Sequence, residues 1–380
     1  PSIVLQAPFH VVAGLVAIPV YVIENEELLP EIERILSTFE LEGIRPVAGY
    51  SSTKGFIGGV ALRKGDLFAE GVGFGLKGSY STNMYRFSSI VLGGERWGNG
   101  PFGLVGEFGW QARTRERFHG IGPSSRLEDE SNYGYRGIFG SLQAHYEFSP
   151  ALQSMAFGAS RRVDPRDGRL TSTPHVRDSI AALFPNQDLY GLFERLDLYE
   201  FGAQVSHDWR ERSGSPLSGG TEVLRVSRVS GSGSSDTTVG FWRVYGDVSH
   251  YLNVYRGRVI GVRVLAQVTE PDAGTRIPFY ELSQLGGSDN LRGFRSGRFI
   301  GQDMAMFTLE YRWPLWRHLD AFLFTDQGRV FGNLEDDFSF SNFQSSYGGG
   351  IRIWNQLASS EMSVAKSNEK LRFYLSFGAL

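Results

Sequence analysis

The sequence predicts an all-β protein: a 16-stranded antiparallel transmembrane β-barrel preceded by a short N-terminal helical segment. Three observations predict it. From Gly43 onward, apolar and polar residues alternate with a period of two. Sixteen such segments can be placed, an even number, as in bacterial outer-membrane barrels. Their connections are long on one side and short on the other, which is the loop asymmetry of such barrels. The 48 glycines and 13% aromatics suit many short strands separated by turns.

Residues 1–42 differ from the rest. Val11 to Ile18 is apolar, but the stretch to Ile23 contains Pro19 and is shorter than the about 20 apolar residues of a membrane helix. No signal peptide is legible, because no basic residue precedes Val11 and the chain starts at Pro1. Glu24 to Thr38 then carries Leu28, Leu29, Ile32, Ile35 and Leu36 on one side, which predicts an amphipathic helix. Pro30 falls in its first turns, where proline is tolerated. This segment, 1–42, is expected to rest on the periplasmic rim or at the bilayer interface, with the barrel filling 43–380.

The expected strands run over 44–51, 55–64, 66–80, 83–94, 101–113, 134–149, 151–163, 196–210, 219–230, 238–252, 256–269, 301–313, 319–331, 345–353, 357–365 and 370–379. In the third, Phe68, Val72, Phe74, Leu76 and Tyr80 share a face opposite Gly71, Gly73, Gly75, Lys77 and Ser79. In the fifth, Phe102, Leu104, Phe108 and Trp110 oppose Gly103, Glu107, Gln111 and Arg113. In the last, Leu371, Phe373, Leu375 and Phe377 oppose Arg372, Tyr374, Ser376 and Gly378. A soluble half-buried sheet also alternates. Here the polar face is rich in Gly, Arg and Glu and the apolar face in aromatics, as expected for lipid outside and a polar lumen. The long connections are 114–133, 164–195, 270–300 and 332–344; Asp178 to Phe184 is expected to form a short helix in the second of them.

Composition excludes several functions. Without cysteine there is no disulfide framework and no thiolate metal site. A net charge of −3 implies no nucleic acid partner. The seven histidines lack ligand spacing, so no metal or other cofactor is expected. Gly73, Gly75 and Gly78 match a dinucleotide fingerprint, but no helix follows; Gly71, Gly73 and Gly75 line one face of a strand and are expected to make room in the lumen for a docked loop. No Gly-x-Ser-x-Gly elbow is present. A hydrolase would have to draw on loop acids such as Asp164, Asp167 or Asp178 with His175, which no spacing sets as a pair, so no enzyme is expected. Arg115, Glu116, Arg117, Glu128, Asp129 and Glu130 read as a solvated loop surface.

The candidate site lies in the 270–300 loop, at Leu291-Arg292-Gly293-Phe294. Counting by twos, Glu310 on the next strand faces inward with Met304, Met306, Thr308 and Arg312. Phe307, Leu309, Tyr311 and Trp313 face lipid. On the following strand Asp326 faces inward with Phe322, Phe324 and Gly328. Arginine offers a planar fork suited to bridging two carboxylates, so Arg292 is expected to dock between Glu310 and Asp326. Gly293 would let the loop backbone approach the wall, and Phe294 would pack against it.

These motifs resemble the C-terminal barrel of the BamA/TamA superfamily, the bacterial surface antigen family, over roughly residues 43–380. The matching residues are Leu291 to Phe294, Phe324-Thr325-Asp326-Gln327-Gly328, Tyr50 to Phe56, Phe118-His119-Gly120-Ile121-Gly122 and the terminal strand Leu371 to Gly378. The resemblance implies that the sixth outer loop docks through Arg292 onto the inward acids. It implies a Gram-negative bacterial outer-membrane location and a role in inserting or translocating proteins, or lipid, through a lateral seam near Gly378. Partners would be outer-membrane lipid and unfolded barrel clients. Two departures stand out. Forty-two residues cannot hold a POTRA domain, so the resemblance is to the POTRA-less branch; whether a separate periplasmic partner replaces those domains is a question the sequence leaves open. The chain also ends Phe377-Gly378-Ala379-Leu380, without the usual terminal aromatic. The rival reading is a passive channel constricted by the 114–133 loop.

Overall fold

The computed structural model describes residues 43–51, 55–67, 69–167, 180–212, 214–234, 238–333, 339, 342–354 and 358–379. The N-terminal segment predicted for 1–42, including its helix, lies outside the described residues. Sixteen strands form one antiparallel sheet, curled into a barrel, in which each strand pairs with the next. They are β1 (Ile44–Ser51), β2 (Gly55–Lys64), β3 (Gly73–Ser81), β4 (Arg86–Gly94), β5 (Phe102–Phe118), β6 (Ser131–Ser149), β7 (Leu152–Asp167), β8 (Leu196–Asp208), β9 (Gly219–Gly233), β10 (Thr238–Tyr255), β11 (Arg258–Pro271), β14 (Asp303–Trp316), β15 (Leu319–Phe331), β16 (Gln344–Trp354), β17 (Ala358–Ser367) and β18 (Leu371–Ala379). Two short strands, β12 (Ser283–Leu285) and β13 (Phe299–Gly301), form a separate hairpin within the β11–β14 connection. The twelfth and thirteenth strands of the wall are therefore β14 and β15.

The alternation in the sequence is the inside–outside alternation of the wall. Phe108, Leu142, Phe201, Leu224, Trp242, Leu252, Val264, Leu309 and Leu323 are all exposed on the outer face, where lipid replaces water. The inner face and its loops hold the buried ionic and polar groups, among them Glu200, Arg312, Asp320 and Asp326. Among the described residues no helix is long and apolar enough to cross a membrane.

Two boundaries differ from the periodicity for local reasons. β3 starts at Gly73 rather than at 66 because Asp66 accepts a bond from the Gly71 N–H (2.6 Å) and Leu67 N–H bonds to the Val72 carbonyl (2.9 Å). Gly71 takes φ +81° there, which interrupts the ladder. β5 and β6 run further outward, to Phe118 and from Ser131, than alternation suggested. A register shift between Arg113 and Glu116 reverses the phase, which hid the continuation. The helix expected over 178–184 is one turn, α1 (Ile180–Leu183).

The outer loops share a core of their own. Phe118, Tyr133, Ile180, Phe184, Phe279 and Ile300 are buried together, drawn from two connections, β7–β8 and β11–β14, and from the outer ends of β5 and β6. Phe118 meets Phe184 and Phe279 edge-on, at centroid distances of 5.0 and 5.8 Å. The wall is low around the seam: β1 has 8 residues, and β3, β4 and β18 have 9 each, against 19 in β6.

Candidate functional site

The β11–β14 connection, residues 272–302, is the sixth outer loop. It folds back into the barrel as the β12–β13 hairpin, with Arg292 near its tip. The tip is shaped by Asn290, whose side-chain oxygen accepts from the N–H groups of Gly286 (2.9 Å) and Leu291 (2.7 Å). At its base Glu281 accepts from Arg161 (2.7 Å) and Arg243 (3.3 Å), and Arg161 also reaches Glu200 (3.5 Å). These bonds fasten the loop to β7, β8 and β10.

Arg292 lays its fork on Asp326. Nε donates to Oδ2 and Nη2 to Oδ1, both at 2.8 Å, and the Arg292 backbone N–H donates to Oδ2 at 3.2 Å. Thr308 Oγ1 donates to Oδ1 at 2.9 Å. The Asp326 side chain is completely buried, and each oxygen has two protein donors, which compensate the buried charge. The guanidinium also lies over the Phe324 ring, 3.3 Å from its centroid. On β16, Gly348 and Gly350 leave room for the rings of Phe324 and Phe322: an added Cβ would come within 2.6 and 2.8 Å of them.

The expectation that Glu310 shares Arg292 is corrected by the register. Thr308, not Glu310, stands opposite Asp326, and Glu310 stands opposite Phe324. Glu310 is instead taken by Arg352, with both oxygens at 3.3 Å, and lies 3.6 Å from Arg312. Arg352 continues to Glu361 at 2.8 Å.

Gly293 presses the loop backbone against the wall. At φ +86°, an added Cβ would lie 3.0 Å from the Ser346 Cβ and 3.2 Å from that of Ser367. Its N–H donates to the Tyr374 hydroxyl (2.8 Å), and its carbonyl accepts from Ser367 Oγ (2.8 Å) and Arg372 Nε (3.1 Å). The Tyr374 hydroxyl donates to the Phe294 carbonyl at 3.3 Å. Phe294 is buried among Leu265, Leu285, Leu291, Phe299, Met304, Met306 and Val330. Gly328 makes space for that core, since a Cβ there would meet Leu285 at 3.2 Å and Leu291 at 3.5 Å. Gly378, the expected seam residue, pairs with Ser359 on β17.

Two other expectations are corrected. Gly71, Gly73 and Gly75 abut the backbones of Arg96, Lys64 and Leu62, not the docked loop. The charges of the third outer loop are not all a solvated surface. Glu130 pairs with Arg117 (3.1 Å) and with Arg295 of the sixth loop. Arg298 is buried between Glu369 (2.5 Å) and Ser125, and Gly122 N–H donates to the Ile300 carbonyl (2.7 Å). His119 is buried beside these arginines; burial first, then Arg298, Arg295, Arg117 and Arg372, push its pKa down to about 3. Of the loop acids weighed for hydrolysis, Asp164 is paired with Arg166 and Arg136, while 175 and 178 lie outside the described residues. Among the described residues no cluster of three or more His, Asp or Glu is arranged to hold a metal.

Sequence reading missed Thr308 and Tyr374 as partners of the motif. Both lie on inward faces that alternation marks, but the pairing depends on interstrand register, which alternation does not encode.

The family model of the Omp85 superfamily domain matches residues 128–379. No curated protein matches this sequence. Among solved structures, the chain is similar to BamA from Haemophilus ducreyi lacking POTRA domains 1–3. The identity is 16% and the TM-score 0.65, over 89% of this chain and 70% of that one. It is also similar to CdiB from Escherichia coli, at 12% identity and a TM-score of 0.55, over 88% of this chain and 61% of that one. At these identities the likeness is one of fold. The chain thus spans about three fifths of CdiB's length (61%).

Proposed function

Since the chain belongs to the Omp85 superfamily and is a β-barrel of the bacterial outer membrane, we propose that it aids the insertion or translocation of proteins there, through its lateral seam, without covalent catalysis. One observation carries this reading. The docked loop is bonded not only to Asp326 in the wall but to Ser367, Arg372 and Tyr374 at the last hairpin, β17–β18, beside the seam. The loop's docking is therefore linked to β18, which with β1 forms the two ends of the sheet order where a seam would lie. An unpaired strand edge offers main-chain donors and acceptors to a client strand. The short β1 and β18 make that side of the barrel low, so lipid beside the seam would be disturbed. Outer-membrane lipid and unfolded barrel clients are the partners this implies.

The lumen argues against the rival reading of a passive channel. Loop six occupies it and is bonded to β7, β10, β15 and β18. The test is reconstitution. Proteoliposomes containing this protein are expected to speed the folding of an unfolded barrel client, and Arg292→Ala proteoliposomes to lose that effect. Wild-type protein that never accelerates client folding, yet passes a steady solute-selective current, would replace this reading with the channel.

A further inference from the structure

The connection between β8 and β9, residues 209–218, is at the end of the barrel where turns are short. At ten residues it is the longest there; those after β6, β10 and β14 have two each. It does not hang below the wall. Ser215 and Pro216 are buried, and their contacts are on strands that are not neighbours of β8 or β9, with β10 and β11 intervening. Ser215 Oγ donates to Asp320 on β15, and the Pro216 carbonyl accepts from Arg312 on β14. Arg212 lies over the Trp354 ring of β16, 4.3 Å from its centroid, and Trp354 Nε1 donates to the same Asp320 carboxylate at 3.0 Å. The turn is also braced internally. Arg212 Nε donates to the Ser215 carbonyl (2.5 Å), and Glu211 accepts from the N–H groups of Leu217 (2.8 Å) and Ser218 (3.2 Å).

A chain that leaves one wall and bonds to another crosses the mouth between them. We infer that the 209–218 turn is an inner gate, closing the periplasmic mouth of the barrel in series with the outer closure by loop six. The two closures grip the same strand. Asp326 of β15 holds the loop and Asp320, six residues lower and on the same face, holds the turn. A cavity of about 380 Å³ is lined by Ser288, Asn290 and Arg292 from the loop and by Glu310 and Arg352 from the wall. Arg312 links the levels, bonding the turn at Pro216 and lying 3.6 Å from Glu310. A buried arginine, a buried aspartate and a stacked indole are costly to leave unpartnered, which favours the turn held in over the turn swung out. Passage along the lumen then requires both closures to yield, and a turn that swings into the periplasm would offer Arg212 and Ser215 to whatever delivers a client.

The test uses four full-length chains in planar bilayers, each first checked for heat-modifiable migration in SDS. They are the wild type, a loop variant with 286–297 replaced by Gly-Gly, a turn variant with 211–218 replaced by Asn-Gly, and the double variant. Asn-Gly is a two-residue hairpin linker, so the strands stay joined. A steady open pore is expected only in the double variant, with both singles near the wild-type current. Either single variant conducting as well as the double overturns the series arrangement. A second measurement does not depend on the double variant folding. The chain has no cysteine, so Ser215→Cys and, at the exposed turn of the same rim, Ser149→Cys each give one thiol. Ser215→Cys is expected to react with a bulky maleimide roughly tenfold or more slowly than Ser149→Cys, the protection of a buried site that must open first. Equal rates would show the turn outside the barrel. Neither measurement depends on insertase activity, so this inference and the proposed function can fail separately.

Discussion

Gly293 and Tyr374 are joined by a 2.8 Å bond from the loop backbone to the phenol, across 81 residues of chain. The same phenol donates onward to the Phe294 carbonyl. The hydroxyl therefore acts as a staple between the sixth loop and the last strand, and only a group that both donates and accepts can do this.

Tyr374→Phe is expected to keep the ring and lose the staple. It leaves the Gly293 N–H without its acceptor, at about 1–3 kcal/mol for a buried group. The barrel should still form. Limited proteolysis within 286–297 should quicken, and client folding in proteoliposomes should slow. Unchanged proteolysis with unchanged activity would separate the loop from the seam strand.

Arg292→Ala removes both arms of the fork from a completely buried carboxylate. Breaking such a pair costs about 3–5 kcal/mol. The loss should fall on loop docking, read as lowered thermal stability of the folded band in SDS and faster loop cleavage. Arg292→Lys should recover only part of it, because an ammonium cannot place two parallel bonds on one carboxylate or stack its plane on Phe324.

How far the sequence reaches can be seen from these residues. Alternation placed all sixteen strands of the wall, because lipid outside and a polar lumen force an unbroken period of two. It failed at 66–72, where a side-chain bond from Asp66 turns the backbone, and beyond Arg113, where one bulge inverts the phase. The loop motif was legible because its residue types have narrow uses: a planar fork, a backbone position at positive φ, an inward acid. Glu310 was misassigned because facing inward does not fix which strand residue it opposes. The 209–218 turn was not recognised at all, since Ser215 and Pro216 are ordinary turn residues and only their distant partners set them apart.

The contact between the third and sixth loops should be sensitive to acid. His119 has a folded-state pKa lowered to about 3, chiefly by burial and then by the surrounding arginines. The sign follows from linkage. The unfolded or undocked histidine takes up a proton near its ordinary pKa of about 6.5, and the docked one does not, so docking is at full strength above about pH 6.5 and weakens as pH falls. At pH 5 the weakening amounts to about 2 kcal/mol. Protection of residues 119–130 in hydrogen exchange should fall between pH 7 and 5 in the wild type. In His119→Phe that slope should be absent, although Glu130 and Glu369 remain to act at lower pH.

The register makes a sharper claim about which acid belongs to Arg292. Asp326 takes the fork directly, and Glu310 is engaged by Arg352 and Arg312. Double-mutant cycles separate the two, because residues that share a contact show coupling and residues that merely share a lumen show little. Arg292→Ala with Asp326→Ala should show a coupling of about 2–3 kcal/mol in thermal or denaturant unfolding, near the upper end for contacting pairs. Arg292→Ala with Glu310→Ala should stay within about 0.5 kcal/mol of additivity, as for sites without shared partners. Arg352→Ala with Glu310→Ala should couple strongly, since Arg352 holds both oxygens of that carboxylate. Strong coupling between Arg292 and Glu310 would mean that the arginine bridges both acids in the membrane, and that the two closures of the lumen share a charge rather than only a strand.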